Sequence, residues 1–319
     1  MQHSREISVA GAILVLFAVL GLTVPQYFSR GNLTDLFLTN GPVLIVALGM
    51  TLVILSGEID ISVGSVFAIA SIAAGVAAKS GLPPWIAAVS ACLAGAALGA
   101  INGTLVARLG VPSIVATLAA MVALRDGLRW ATQGAWIADL PADFQWMGWS
   151  QSSYPAMMLL VVSSLTAVIA WGLKNLAAGR AIYATGSNEE AARLLGIRTR
   201  LVKFSVFTAL GALTGVAAAL TSVRFNQIPS NTGLGLEMKV IASVVVGGAA
   251  VTGGSGTILG TVLGVTLMGA IGPALTFLGV NAYWEKAIQG GIILTAIVID
   301  ALRSQVRRVE RGERLVSQA

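Results

Sequence analysis

Two carboxylates, Glu58 and Asp60, stand beside Ser62 in the run Gly57-Glu58-Ile59-Asp60-Ile61-Ser62, with apolar sequence on both sides. A carboxylate at membrane depth is costly, about 2.5–3.5 kcal/mol for Asp at the centre of a membrane helix, and calls for a physical reason. Two readings are open. In one, a broken helix lines a solute path, and Asp60 and Ser62 exchange hydrogen bonds with solute hydroxyls. In the other, Asp60 or Ser62 caps the following helix at its aqueous end. Glu58 has no such capping role.

A second cluster lies in a charged connection, residues 174–203. Ser187 and Glu190 have the spacing of a capping box, in which a hydroxyl accepts from the helix start and a carboxylate reaches back. Gly196 fits the position just past a helix end, where positive φ is tolerated. Together they predict a helix of about two turns that displays Ala191, Ala192, Leu194 and Leu195. Such a helix either organises a loop at the interface or docks into another protein's groove.

Other motifs carry less chemistry. Gly254-Ser255-Gly256-Thr257-Ile258-Leu259-Gly260 approaches a dinucleotide fingerprint, but Gly260 leads into more apolar helix instead of a soluble βαβ unit. The four-residue recurrence of Gly256, Gly260 and Gly264 suits close helix packing instead. No phosphate-binding Gly-x4-Gly-Lys-Ser/Thr loop occurs, so ATP chemistry is expected in trans. One Cys, Cys92, and one His, His3, give no metal or disulfide set. Arg125 and Arg129 are expected to snorkel at a membrane surface, with Asp126 and Arg129 paired three apart. Trp136, Trp146, Trp149 and Tyr154 read as an interfacial aromatic belt.

The elements that must hold these residues are apolar helices. Of 319 residues, 56% are hydrophobic and 11% charged, less than half the charge of a typical soluble domain, about 25%. Mean hydropathy is +0.84. The fold class expected is all-α: a polytopic membrane protein of about ten transmembrane helices, some short or broken, with 1–319 as one membrane domain. Runs of the required length cover 7–27, 40–56, 61–78, 85–107, 112–131, 154–171, 204–223, 240–251, 257–278 and 287–302. The first is read as a retained helix, not a cleaved leader. The run 240–251 is short enough to be broken or re-entrant.

Orientation follows from Lys and Arg. One face receives Arg5, Arg108, six cations in 174–203 and five arginines in 303–314, thirteen of the twenty basic residues. The connections 132–153 and 225–236 contain none. Both termini and the 174–203 connection are therefore expected to be cytoplasmic. The net charge of +6 reflects topology, not nucleic-acid binding.

The order Glu190-Ala191-Ala192, three residues, then Gly196 resembles the loop motif in permease subunits of ABC importers. The Ile-x-Leu-Pro ending of its longer form is absent, which points to the simple-sugar branch (ribose, xylose, rhamnose and related ligands). The run from Gly49-Met50-Thr51 to Ile59-Asp60-Ile61-Ser62-Val63-Gly64 is similar to that branch's signature, with Glu58 where Gly is usual. Pro112 to Leu118 and the Gly-rich run 247–264 extend the resemblance over about 32–302. Asn281-Ala282-Tyr283-Trp284-Glu285-Lys286 resembles the rhamnose-type subgroup.

The resemblance implies a multi-pass permease of the bacterial inner membrane, without an ATPase site or cofactor of its own. Ser187, Glu190, Ala191, Ala192, Leu194, Leu195 and Gly196 would form the coupling helix for an ABC ATPase subunit. Glu58, Asp60 and Ser62 would belong to the sugar path. The partners implied are the ATPase, a periplasmic sugar-binding protein, a second permease copy or paralogue, and the lipid bilayer. The alternatives are an ion-coupled secondary transporter, which needs protonatable groups at mid-bilayer, and an ABC permease for branched-chain amino acids.

Overall fold

The computed structural model describes residues 2–281, 283–292 and 294–295. Among these, all named elements are helical, and the sole β feature is the bridge between Ile137 and Ile228. The long helices are α1 (Gln2–Thr23), α2 (Arg30–Leu55), α3 (Val63–Lys79), α4 (Pro84–Ala107), α5 (Ser113–Thr132) and α6 (Tyr154–Asn175). Two short ones follow, α7 (Ala177–Ser187) and α8 (Glu189–Leu194). The last are α9 (Thr199–Ser222), α10 (Leu236–Val246) and α11 (Ile258–Phe277), and residues 284–292 are also helical.

Six of these helices (α1, α2, α4, α6, α9 and α11) are long and apolar enough to cross a membrane. Their exposure differs sharply. The apolar window of α2 is 83% buried, whereas those of α1 and α6 are 17% buried. A helix apolar all round belongs inside, and α2 is the central post of the bundle. The outer helices turn Leu14, Leu160 and Val168 outward, a surface suited to lipid and not to water. The chain is an all-α polytopic membrane protein.

The remaining expected spans take less regular forms. The third is α3, 17 residues long. The fifth is α5, whose charges lower its hydropathy. The run 240–251 is helical only in its first part: the eleven-residue α10 starts earlier, at Leu236, and ends at Val246 before Gly247. The expected span 287–302 falls partly outside the described residues, and the arginines of 303–314 fall wholly outside them.

Glycine faces bring helices into backbone contact. A Cβ at Gly95 would overlap the Gly211 carbonyl, and a Cβ at Gly211 would overlap that of Gly95. This joins α4 to α9 without side chains between them, the small-residue packing that membrane helices use. Gly247 and Gly260 stand in the same relation between α10 and α11, and Gly264 meets the Ser243 carbonyl. Gly256 lies before α11 and faces Ala249.

Two expectations need correction. Arg125 does not snorkel: it is buried and donates to the carbonyls of Thr232 (3.1 Å) and Gly233 (3.5 Å). The reason is that this face of α5 meets the segment leading into α10, not water. Arg129 does pair with Asp126, at 3.4 Å and well exposed. The aromatic belt is also only partial. Trp136 and Trp149 are exposed, but Tyr154 is fully buried. Its hydroxyl donates to the Leu220 carbonyl at 2.5 Å, and Trp146 packs edge-on against its ring.

Candidate functional site

The site is built where three chain segments meet at one end of the bundle. The connection 174–203 holds two helices, where the sequence predicted one. Helix α7 runs through Ser187, and the Asn188 N–H still bonds the Ala184 carbonyl at 3.1 Å. Ser187 is therefore helical and does not cap α8, so the expected capping box is not formed. Asn188, with extended backbone, takes the cap: its Oδ1 accepts from the Ala191 N–H at 3.0 Å. Asn serves this position about as well as Ser.

The other end of α8 follows expectation. Gly196 has φ of 84°. The Ile197 N–H bonds the Ala192 carbonyl and the Gly196 N–H bonds that of Arg193, both at 3.0 Å. This pair of bonds is a Schellman motif. Helix α8 is thus only six residues long, yet fixed at both ends. Its faces are distinct: Ala192 is buried against the bundle, while Leu194 and Leu195 are each 82% exposed. Glu190 and Ala191 are exposed as well. Two neighbouring leucines on a rigid, outward knob form a surface that gains by being covered, by about 1.5–3 kcal/mol for each fully buried Leu.

Behind this knob, backbone meets backbone. A Cβ at Gly186 would overlap the Leu55 carbonyl at the end of α2, and would come within 2.7 Å of the Gly254 nitrogen. The Gly254 N–H donates to that same Leu55 carbonyl at 3.0 Å. The Tyr183 hydroxyl donates to the Gly256 carbonyl at 2.8 Å, and burial raises the pKa of its phenol.

Lys203, at the start of α9, ties the two charged clusters together. Its Nζ lies 2.6 Å from Glu58 Oε1 and 2.7 Å from Glu189 Oε2. The Lys203 and Glu58 side chains are 13% and 12% exposed, and that of Glu189 is 48% exposed. Burial alone would push the Glu189 carboxyl up. The Lys203 hydrogen bond and charge, helped by Thr199 and Arg193, outweigh it and hold the carboxyl below its usual range.

From Glu58 the chain enters the Asp60 knot. Asp60 Oδ1 accepts from the Ser62 N–H (2.7 Å) and hydroxyl (2.6 Å). The Asn102 amide donates to Ser62 Oγ at 2.8 Å and to Asp60 Oδ2 at 3.4 Å. The Ile61 N–H donates to Thr117 Oγ1 at 3.1 Å and the Ile59 N–H to Ser113 Oγ at 3.3 Å. The α2–α3 turn is thereby strapped to α4 and α5. Asp60 and Ser62 are buried here, and Ser62, at the N-cap of α3, makes no side-chain cap bond.

The geometry joins Glu58 to the α8 region through Lys203, and Asp60 to Ser62 directly. Lys203, Asn188 and Asn102 were missed as site residues. The charge-rich context of Lys203 was visible, but its partners lie far apart in sequence. Asn188 differs from the expected cap by one position.

Residues 32–297 match the family described as branched-chain amino acid transport system / permease component. The chain belongs to this permease family.

Relatives match almost end to end. The permease is 37% identical over 319 residues to the autoinducer 2 import system permease protein LsrC of Yersinia pseudotuberculosis (strain IP32953), covering 98% of this chain and 90% of the relative. It is 37% identical over 320 residues to LsrC of Escherichia coli (strain K12 / DH10B), covering 97% and 92%. LsrC of Yersinia pestis (strain Angola) is 36% identical over 319 residues, covering 98% and 90%. No solved structure matches the permease.

Proposed function

We propose that the permease is the membrane-spanning subunit of an ATP-driven importer, with α8 as the helix that seats on an ATPase subunit. The observation that carries this is the α8 knob: capped at both ends, anchored through Ala192 and Glu189, and presenting Leu194 and Leu195 to solvent. A rigid knob moves as a unit when its partner moves. Lys203 passes that movement to Glu58 and so to the turn holding Asp60 and Ser62, which border the solute path. Docking shifts the inward/outward equilibrium only as far as the contact differs between the two states.

In this reading a second copy or close relative completes the path, and a periplasmic binding protein delivers solute. Both termini and α8 face the cytoplasm, in the bacterial inner membrane. The solute class is small and sugar-like. Autoinducer 2, named for the LsrC relatives, is favoured over rhamnose or ribose.

The test is uptake by proteoliposomes holding the permease, its ATPase and its binding protein. ATP-dependent uptake of autoinducer 2 that survives a proton uncoupler, with rhamnose and ribose competing poorly, is expected. Uptake that follows an ion gradient without ATP contradicts the proposal. Preferred uptake of rhamnose or ribose contradicts the solute assignment alone.

A further inference from the structure

A cavity of about 1330 Å3 lies beside the Lys203 cluster. Its walls are the α4–α5 turn and the segment running from α8 into α9. Arg108, Arg193, Arg198 and Arg200 line it, and all four are exposed. The cleft's two carboxylates, Glu58 and Glu189, are both taken by Lys203. Among the described residues no salt bridge reaches Arg108, Arg198 or Arg200.

These arginines do not serve the helix they flank. Arg198 is the N-cap of α9 and Arg200 lies in its first turn, which has no acidic residue. Cations there oppose the helix dipole, so their placement needs another beneficiary. Arg108 is held over the Phe204 ring, 5.8 Å from its centroid, which orients its guanidinium at the cleft.

The rim is apolar. Leu109 and Leu201 border the cleft at 68% and 56% exposure. Ile114 and Val115, in the first turn of α5, are likewise exposed. A concave arginine cluster at the ends of membrane helices, edged by outward apolar side chains, matches an anion that carries hydrocarbon. An acidic protein segment would have no use for that rim.

We propose that this cleft binds the phosphate-bearing headgroup of an anionic phospholipid, with Arg108, Arg198 and Arg200 as its cationic contacts. It rests on the orientation proposed above, which sets the cleft at the cytoplasmic leaflet, where anionic lipid and basic pockets between helices meet. Guanidinium forks suit phosphate oxygens. Because Arg193 of α8 shares the cleft, a bound headgroup also braces the docking knob from behind.

The test is native mass spectrometry of the purified full chain in detergent, offered equal phosphatidylglycerol and phosphatidylcholine. Selective retention of phosphatidylglycerol is expected. A basic residue near a charged surface contributes roughly fivefold, so the triple variant R108Q/R198Q/R200Q should lose about two orders of magnitude of retention at low salt. The triple Lys variant, which keeps the charge, should recover most of it. Arg129→Gln, on an exposed pair elsewhere, should leave retention unchanged and so exclude a bulk-charge effect.

Equal retention of the two lipids, or undiminished retention by the Gln variant, overturns the proposal. So does displacement by millimolar inorganic phosphate, which marks a free-anion site, or preferential binding of a polyglutamate peptide, which marks a protein-docking cleft. The measurement has no sidedness. Its failure is therefore distinguishable from a failed orientation, which cysteine labelling reads separately.

Discussion

Lys203 Nζ stands 2.6 Å from Glu58 Oε1, joining the second turn of α9 to the turn between α2 and α3. With Glu189 as its second partner, Lys203 joins the α8 region to the run leading to Asp60.

Lys203→Met should therefore destabilise, because it strands the Glu58 carboxylate at 12% exposure without its cation. Breaking a buried pair costs about 3–5 kcal/mol, and partial exposure reduces this to roughly 1–3 kcal/mol. Glu58→Gln in the same chain should restore part of the loss. Thermal unfolding of the four proteins of this cycle, in one detergent, checks both statements. Additive losses would mean that the two side chains do not interact.

Gly186→Ala should prevent correct packing of α7, since its Cβ would collide with the Leu55 carbonyl, a backbone atom that cannot step aside. Gly127→Ala, with nothing within 4 Å, should instead be neutral or stabilise slightly, by about 0.5–1 kcal/mol in a helix interior. Melting temperatures in a common detergent compare the two. Equal tolerance at both sites would contradict the close approach at Gly186.

The pH response of the knob follows from Glu189. Its pKa is lowered in the folded protein, so its contribution is present above the unfolded value and lost as pH falls through the folded one. Amide exchange over 188–196, corrected for intrinsic rate, should be protected at neutral pH and loosen only in acid. Glu189→Gln should be loose already at pH 7 and show little further change. An unaltered acid response in that variant would assign the effect elsewhere.

Topology is open to direct labelling. With Cys92 replaced, Ser187→Cys should react only with reagent on the cytoplasmic side and Ala142→Cys only with reagent outside. Both positions are exposed. Reaction of both from one side contradicts the orientation drawn from the basic residues.

The all-α membrane class was legible because apolar runs and sparse charge are local properties, as were the brevity of α10 and the Gly196 stop. What escaped was long-range. Arg125 looked like a snorkelling residue because nothing in its neighbourhood shows that Thr232 and Gly233 fold back onto it. Ser187 looked like a cap because the sequence does not mark that α7 continues through it. Ala192 was grouped with Leu194 and Leu195 on composition, but helical geometry turns it inward. The face proposed for docking is therefore narrower than the motif.

The central claim, that α8 is the ATPase-coupling knob, is tested most directly by substitution of its outward leucines. Leu194→Asp with Leu195→Asp changes two side chains that are 82% exposed, so the isolated permease should melt as the wild type does. In the assembled transporter, the measurement is ATP hydrolysis stimulated by solute-loaded binding protein. The account expects that stimulation to be lost, with the ATPase failing to co-purify, because two charges would have to enter an apolar groove unpaired. Wild-type stimulation and co-purification in the double variant would contradict it and leave α8 as an organiser of its loop.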